Sequence, residues 1–134
     1  MRQIPGRILL LLAFTLLALS CNRQPATLAE IQQQRSGDYL VALLSDTGVL
    51  KQHSKLTLEF RNASTNEMAN VSNVQIQATM RMPGMAPMFG TFSAPREIGP
   101  GRYECDADFS MAGQWGLVVT FDPNGRVLFN LNAQ

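Results

Sequence analysis

Methionine is the residue type whose spacing in this chain most strongly suggests chemistry. Five of the seven methionines lie between Met80 and Met111, and four of them follow one another every two or three residues. Thioether sulfur is a soft, neutral ligand that suits Cu(I), so sulfurs converging on one turn could bind it without histidine or cysteine. The candidate metal ligands are Met80, Met82, Met85, Met88 and Met111.

The same methionines have an interpretation without metal. Met80 and Met82 continue an alternation of apolar residues, so they would face a hydrophobic core, where methionine fills irregular gaps. Met85 and Met88 would then close the open end of the domain. The residues alone leave both interpretations open, with Cu(I) as the candidate cofactor or no cofactor at all.

Other chemistry finds little support in the sequence. His53 is the only histidine and lies in a polar turn, so it is expected to be exposed. The chain has no CxxC, HExxH, nucleophile-elbow or glycine-rich phosphate motif. Asp106 and Asp108 are two residues apart on the expected solvent face of a strand, where carboxylates are usually hydrated. We therefore predict that the protein is not an enzyme.

The N-terminal residues have the layout of an export signal. Arg2 and Arg7 precede an apolar run over 8–19 that is too short to span a membrane as a helix. Small residues then lead to Cys21, as in a lipobox, although Ala18 stands where leucine is commoner. We predict that residues 1–20 are a lipoprotein signal peptide and that Cys21 carries the lipid.

The chain without residues 1–20 has 114 residues, nine of them basic and ten acidic. No basic stripe is present, which argues against nucleic acid as a partner. Lipidation of Cys21 would leave Cys105 without a disulfide partner, so that thiol should be buried or bind something.

Residues 21–36 are predicted to be the lipidated cysteine and a polar, glutamine-rich tether. Thr27 and Glu30 have the spacing of a capping box, which makes a short helix over 28–35 possible, although a helix of that length is marginal. No chemistry is expected in this segment.

From Gly37 onward, apolar residues alternate with polar ones, which is typical of antiparallel strands with one buried and one solvated face. Turn residues separate these runs, most clearly between Phe121 and Arg126. The pattern predicts an all-β domain over 37–134, an immunoglobulin-like sandwich of two antiparallel sheets with six or seven strands.

Four motifs occur together in an order that resembles the YtkA-like family of exported β-sandwich domains, over roughly residues 37–121. They are Gly37-Asp-Tyr39, Met80-Arg-Met-Pro-Gly-Met85, Gly101-Arg-Tyr103 and Phe109-Ser-Met-Ala-Gly-Gln-Trp115. The resemblance implies an immunoglobulin-like fold and a role in copper handling, heavy-metal efflux or oxidase assembly. It also implies Met82, Met85 and Met111 as ligands, with Met80 and Met88 adjacent.

This chain departs from that family at one position of interest. Many relatives have a histidine shortly after the Met-Pro-Gly-Met turn, whereas this chain has Pro87 and Met88. The departure argues against Cu(II) and favours Cu(I) or no metal.

Two functions are therefore expected. The first is a periplasm-facing lipoprotein of the bacterial cell envelope that binds Cu(I) and buffers it or passes it to a metal-transport or oxidase-assembly protein. The alternative is a metal-free interaction or assembly module of the envelope. The lipid anchor would make the membrane a partner, and Asn22 after the cysteine favours the outer membrane.

Overall fold

Ten β-strands make up the fold of residues 27–134, which are the residues described by the structure, a computed structural model. They are β1 (Ala29–Ser36), β2 (Tyr39–Ser45), β3 (His53–Asn62), β4 (Ser72–Met80), β5 (Met88–Phe89), β6 (Thr91–Phe92), β7 (Arg96–Gly99), β8 (Arg102–Asp108), β9 (Gly113–Asp122) and β10 (Gly125–Ala133). Within residues 27–134 no helix is long and apolar enough to cross a membrane. The predicted signal peptide and Cys21 lie outside the described residues.

The strands form two antiparallel sheets. One has the order β1-β2-β3-β8-β6, with β7 also paired to β8, and the other has the order β10-β9-β4-β5. The predicted all-β, immunoglobulin-like sandwich is confirmed. The strand count exceeds the expected six or seven because β5 and β6 have two residues each, too few to produce a visible alternation, and because β1 was not expected.

The core lies between the sheets and contains the alternating apolar residues that the sequence pattern predicted. Phe60 of the larger sheet meets Phe121 of the smaller one edge to face, with ring centroids 4.9 Å apart. Burying such a side chain contributes about 1.5–3 kcal/mol. The buried core residues of the smaller sheet are Val74, Ala78, Met80, Trp115, Leu117, Val119, Phe121, Val127, Phe129, Leu131 and Ala133.

The prediction of a tether over residues 21–36 is wrong for its second half, and so is the possible helix over 28–35. Ala29–Ser36 is an edge strand paired antiparallel with β2, with a register irregularity between Glu30 and Gln32. Its glutamines gave no apolar alternation, but an edge strand is held mainly by backbone hydrogen bonds to its neighbour. Ile31 also packs against the core. The domain therefore begins before Gly37.

Cys105 is buried, as its alternation with Ala107 and Phe109 predicted. It lies opposite Leu56 in the pairing of β3 with β8. Burial, reinforced by the negative charges of Asp106 and Glu104, raises the pKa of its thiol from 9.0 to about 11. The thiol therefore stays protonated at neutral pH and behaves as a small apolar group.

The raised pKa of Cys105 predicts a loss of stability at high pH. Above pH 9 the thiol ionises in the unfolded chain but not in the folded one, so unfolding becomes more favourable until the folded pKa, about 11, is reached. A shift of this size corresponds to about 2–3 kcal/mol at its full extent. Urea unfolding at several pH values should show a steeper decline between pH 9 and 11 for the wild type than for Cys105→Ala. Parallel declines would contradict this account.

Candidate functional site

The first pair of methionines lies side by side where β4 and β5 form a hairpin. Met80, the last residue of β4, is directly opposite Met88, the first residue of β5. Residues directly opposite in an antiparallel pair have their Cβ atoms about 5 Å apart on the same face. Met80 is 4% exposed and belongs to the core, and Met88 is partly buried against it.

The second pair of methionines flanks the turn of the same hairpin. The backbone N–H of Met85 donates to the carbonyl of Met82 at 3.2 Å, and Gly84 has a φ of +75°. Proline in the second position and a positive φ in the third are typical of a type II turn, whose first and last Cα atoms lie within about 7 Å of each other. Met82 packs partly against the core, whereas Met85 is 61% exposed.

The fifth methionine, Met111, lies on the loop before β9 at the same end of the sandwich. Thr79 pairs with Gly116, so the chain beyond Met80 and the chain before Gly113 leave the smaller sheet together. A Cβ on Gly113 would lie only 2.8 Å from the Met80 methyl carbon, so the glycine makes room for that side chain. The indole N–H of Trp115 donates to the Met111 carbonyl at 3.1 Å, which holds the loop in place.

The structure thus gathers all five predicted ligands at one end of the sandwich, as two pairs and a neighbouring loop residue. Core packing accounts for the burial of Met80 and for much of that of Met82 and Met88. Core packing gives no reason for a methionine at position 85 or at position 111, where the side chain is 36% exposed. Solvent-exposed thioethers beside partly buried ones would let a soft metal ion enter and leave without unfolding of the hairpin.

Hard or borderline metal ligands are not grouped in the described part of the chain. Among residues 27–134 no group of three or more histidine, cysteine, aspartate or glutamate side chains could hold a metal ion. His53 is exposed, as predicted, and its Nδ1 lies 3.3 Å from an Asp108 carboxylate oxygen. Asp106 and Asp108 lie on the solvent face, also as predicted, in a shallow polar groove of about 470 Å³ shared with Lys55.

A buried carboxylate on the outer face of the larger sheet was not expected from the sequence, where alternation placed Glu59 in solvent. Glu59 is 7% exposed, and its two oxygens accept from Arg102 at 2.7 Å and from Arg61 at 3.2 Å. The two guanidinium groups satisfy the charge, so we assign this cluster to stability of the sheet rather than to catalysis. The pairing of Glu59 with Arg102 depends on strand register, which the sequence pattern does not show.

The described chain begins at the same end of the sandwich as the methionines. Ala29 pairs with Ser45 at the start of β1, and a Cβ on Gly48 would lie 3.0 Å from that of Ala29. Leu50 follows closely and bridges to Ala133, which itself pairs with Gly113 at the start of β9. Thr27 therefore lies at the same end of the sandwich as the loop that carries Met111.

Comparison with known proteins gives a match to a protein family. The model of a family described as YtkA-like matches residues 33–120, from the middle of β1 to near the end of β9. The match includes the β4–β5 hairpin and the Met111 loop, and it begins before Gly37, in agreement with the position of β1. No curated protein matches the chain.

Proposed function

Because the chain belongs to the YtkA-like family, we propose that it is an envelope lipoprotein that binds Cu(I), or a similar soft metal, in copper handling, efflux or oxidase assembly. One observation carries the proposal. Met80 with Met88 and Met82 with Met85 form two pairs across a single hairpin, with Met111 on the adjoining loop.

The ligand chemistry of this end favours Cu(I) over Cu(II). Thioethers are neutral and soft, whereas Cu(II) prefers imidazole nitrogen and oxygen ligands. The only histidine, His53, is on the outer face of the larger sheet and is paired with Asp108. The hairpin offers sulfur instead, with Met85 accessible from solvent. A site of this kind suits transfer of the ion to a partner as well as storage.

Lipidation of Cys21 would orient the methionine end of the domain relative to the membrane. Five residues separate Cys21 from Thr27, and the six Cα–Cα steps between them span at most about 20 Å when the chain is extended. The nine-residue strand β10 is about 30 Å long by comparison. An anchored domain would therefore hold its methionine end towards the membrane, which fits a membrane-embedded metal-transport or oxidase-assembly partner. Membrane fractionation and the intact mass of the purified protein test the anchor.

The metal proposal predicts that Met85→Leu combined with Met88→Leu abolishes Cu(I) binding. Leucine keeps the size and apolarity of methionine, and such exchanges usually cost less than about 1.5 kcal/mol even in a core. The folded state should therefore persist while two sulfur ligands are lost. Competition with a chromophoric Cu(I) chelator, under reducing conditions and in detergent, measures the affinity, and circular dichroism checks the fold.

Met68→Leu is the matched control, because Met68 bridges to Arg61, far along the strands from the methionine hairpin. We expect this variant to bind Cu(I) as the wild type does. If the wild type binds Cu(I) no more tightly than the double leucine variant, the copper proposal is wrong. The packing of Met80, Met82 and Met88 against the core would then favour the metal-free assembly module.

A further inference from the structure

One side of β4 is largely unpaired. Its inner neighbour β9 pairs with it from Ser72 to Thr79, but on the opposite side β5 pairs only with Thr79 and Met80. A hydrogen bond of 3.0 Å from the Gly90 N–H to the Ala78 carbonyl extends the pairing of this side by one residue. Among the described strands, none pairs with this side of β4 before Thr79.

The backbone groups of Ile76 face this open side. Ala78 accepts from Gly90, so its carbonyl points away from β9, and backbone direction alternates along a strand. Two residues earlier, the N–H and C=O of Ile76 therefore point the same way, while those of Gln75 and Gln77 point to β9. The free N–H and C=O of Ile76 can therefore form hydrogen bonds with the backbone of one added extended chain.

A groove follows the open side of β4. Two adjoining cavities of about 390 and 260 Å³ share Ile76, Gln77 and Phe92 in their walls. Phe92 is fixed by an edge-to-face contact with Phe109, with ring centroids 5.8 Å apart. None of the residues that line either cavity is charged.

The edge also lacks charges and proline, although a register irregularity lies between Ser72 and Gln75 at its start. Strand edges are commonly protected by lysine, proline or inward-pointing charges. The segment Ser72–Met80 contains no charged residue and no proline. A second copy of this chain fits poorly, because an antiparallel match centred on Ile76 would place Ser72 and Asn73 of each copy in the space that β5 occupies beside Thr79 and Met80 of the other.

We propose that the open side of β4 binds an extended, uncharged segment of a partner protein as an added strand. Ile76 exchanges backbone hydrogen bonds with this segment, which continues along the line of β5. An apolar side chain of the partner packs against Ile76 and Phe92. The proposal is independent of metal binding, since it uses neither the methionine pairs nor Met111.

Amide hydrogen exchange followed by NMR tests the proposal on the protein in detergent. In the free protein at low concentration, the Ile76 amide should exchange at least about tenfold faster than those of Gln75 and Gln77, which pair with β9. The probe is the capped peptide acetyl-Thr-Val-Thr-Val-Thr-amide. Near saturation it should slow exchange at Ile76 at least about tenfold and leave Gln75 and Gln77 unchanged.

Two controls make the test specific. The same peptide with N-methylated valines cannot donate and should give no protection. Ile76→Pro removes the N–H on the open side without touching a bond to β9, so peptide binding should be lost while Gln75 and Gln77 stay protected. Ile76→Val keeps the N–H and should keep binding.

Three results would overturn the proposal. The first is an Ile76 amide that exchanges as slowly as its neighbours in the dilute free protein. The second is equal protection by the methylated peptide, or no protection by either peptide. The third is protection that rises with protein concentration alone, which would assign this edge to a second copy of the chain.

Discussion

Replacing Gly101 by alanine is expected to lower the free energy of unfolding by more than about 3 kcal/mol. Residue 101 has a positive φ, and the added Cβ would also collide with backbone atoms. Gly101 has a φ of +67°, and a Cβ there would lie 2.7 Å from the Ala69 carbonyl oxygen and 2.9 Å from that of Phe60. Both contacts are backbone atoms held by hydrogen bonds, since Phe60 donates to Gly101 and Ala69 donates to Phe60. Urea unfolding monitored by the single tryptophan measures the effect.

Gly37→Ala is the matched control for this substitution. Gly37 also has a positive φ, +57°, but a Cβ there meets nothing within 4 Å. Alanine at this position should lower the free energy of unfolding only by the cost of its positive φ, about 1 kcal/mol. The difference between the two variants isolates the crowding beside Phe60 and Ala69, and equal losses for both would contradict it.

Alternation in the sequence predicted those parts of the fold in which one face of a strand is buried. The run Trp115, Leu117, Val119 and Phe121 is buried throughout, and Cys105 lies in the core as expected. The pattern failed for β1, because a glutamine-rich edge strand buries little apolar surface and is held by backbone bonds to β2. It failed again for Glu59, whose burial depends on arginines from two strands.

The clustering of methionines along the chain is visible in the sequence, but their arrangement in space is not. The five methionines stand out by their spacing, yet the pairing of Met80 with Met88 depends on hairpin register and on the turn that closes through Met82 and Met85. The position of Met111 depends on how β9 pairs with β4. The open side of β4 was not visible either, because it results from β5 ending at Phe89, after only two residues. Register is a long-range property, so local spacing does not determine it.

Trp115→Ala should be among the most destabilising substitutions, lowering the free energy of unfolding by about 3–5 kcal/mol. Trp115 is 1% exposed and contacts Phe109 edge to face, with ring centroids 5.2 Å apart. Its removal would leave a cavity between the sheets close to Met80. Because the variant lacks the only tryptophan, far-ultraviolet circular dichroism in urea is the suitable measurement. A loss below about 1 kcal/mol, typical of surface positions, would contradict the packing described here.

Trp115→Phe separates the packing role of this residue from its hydrogen bond. Phenylalanine keeps an aromatic ring against Phe109 but cannot donate to the Met111 carbonyl, so we expect about 1–3 kcal/mol of destabilisation from the lost bond and the smaller ring. Without that bond the Met111 loop should become more mobile, and its amides should exchange faster. If Met111 is a ligand, Cu(I) affinity should fall in Trp115→Phe although all five methionines remain. If Cu(I) affinity stays at the wild-type value while the loop amides exchange faster, Met111 is not part of the site, and the hairpin pairs bind the metal without it.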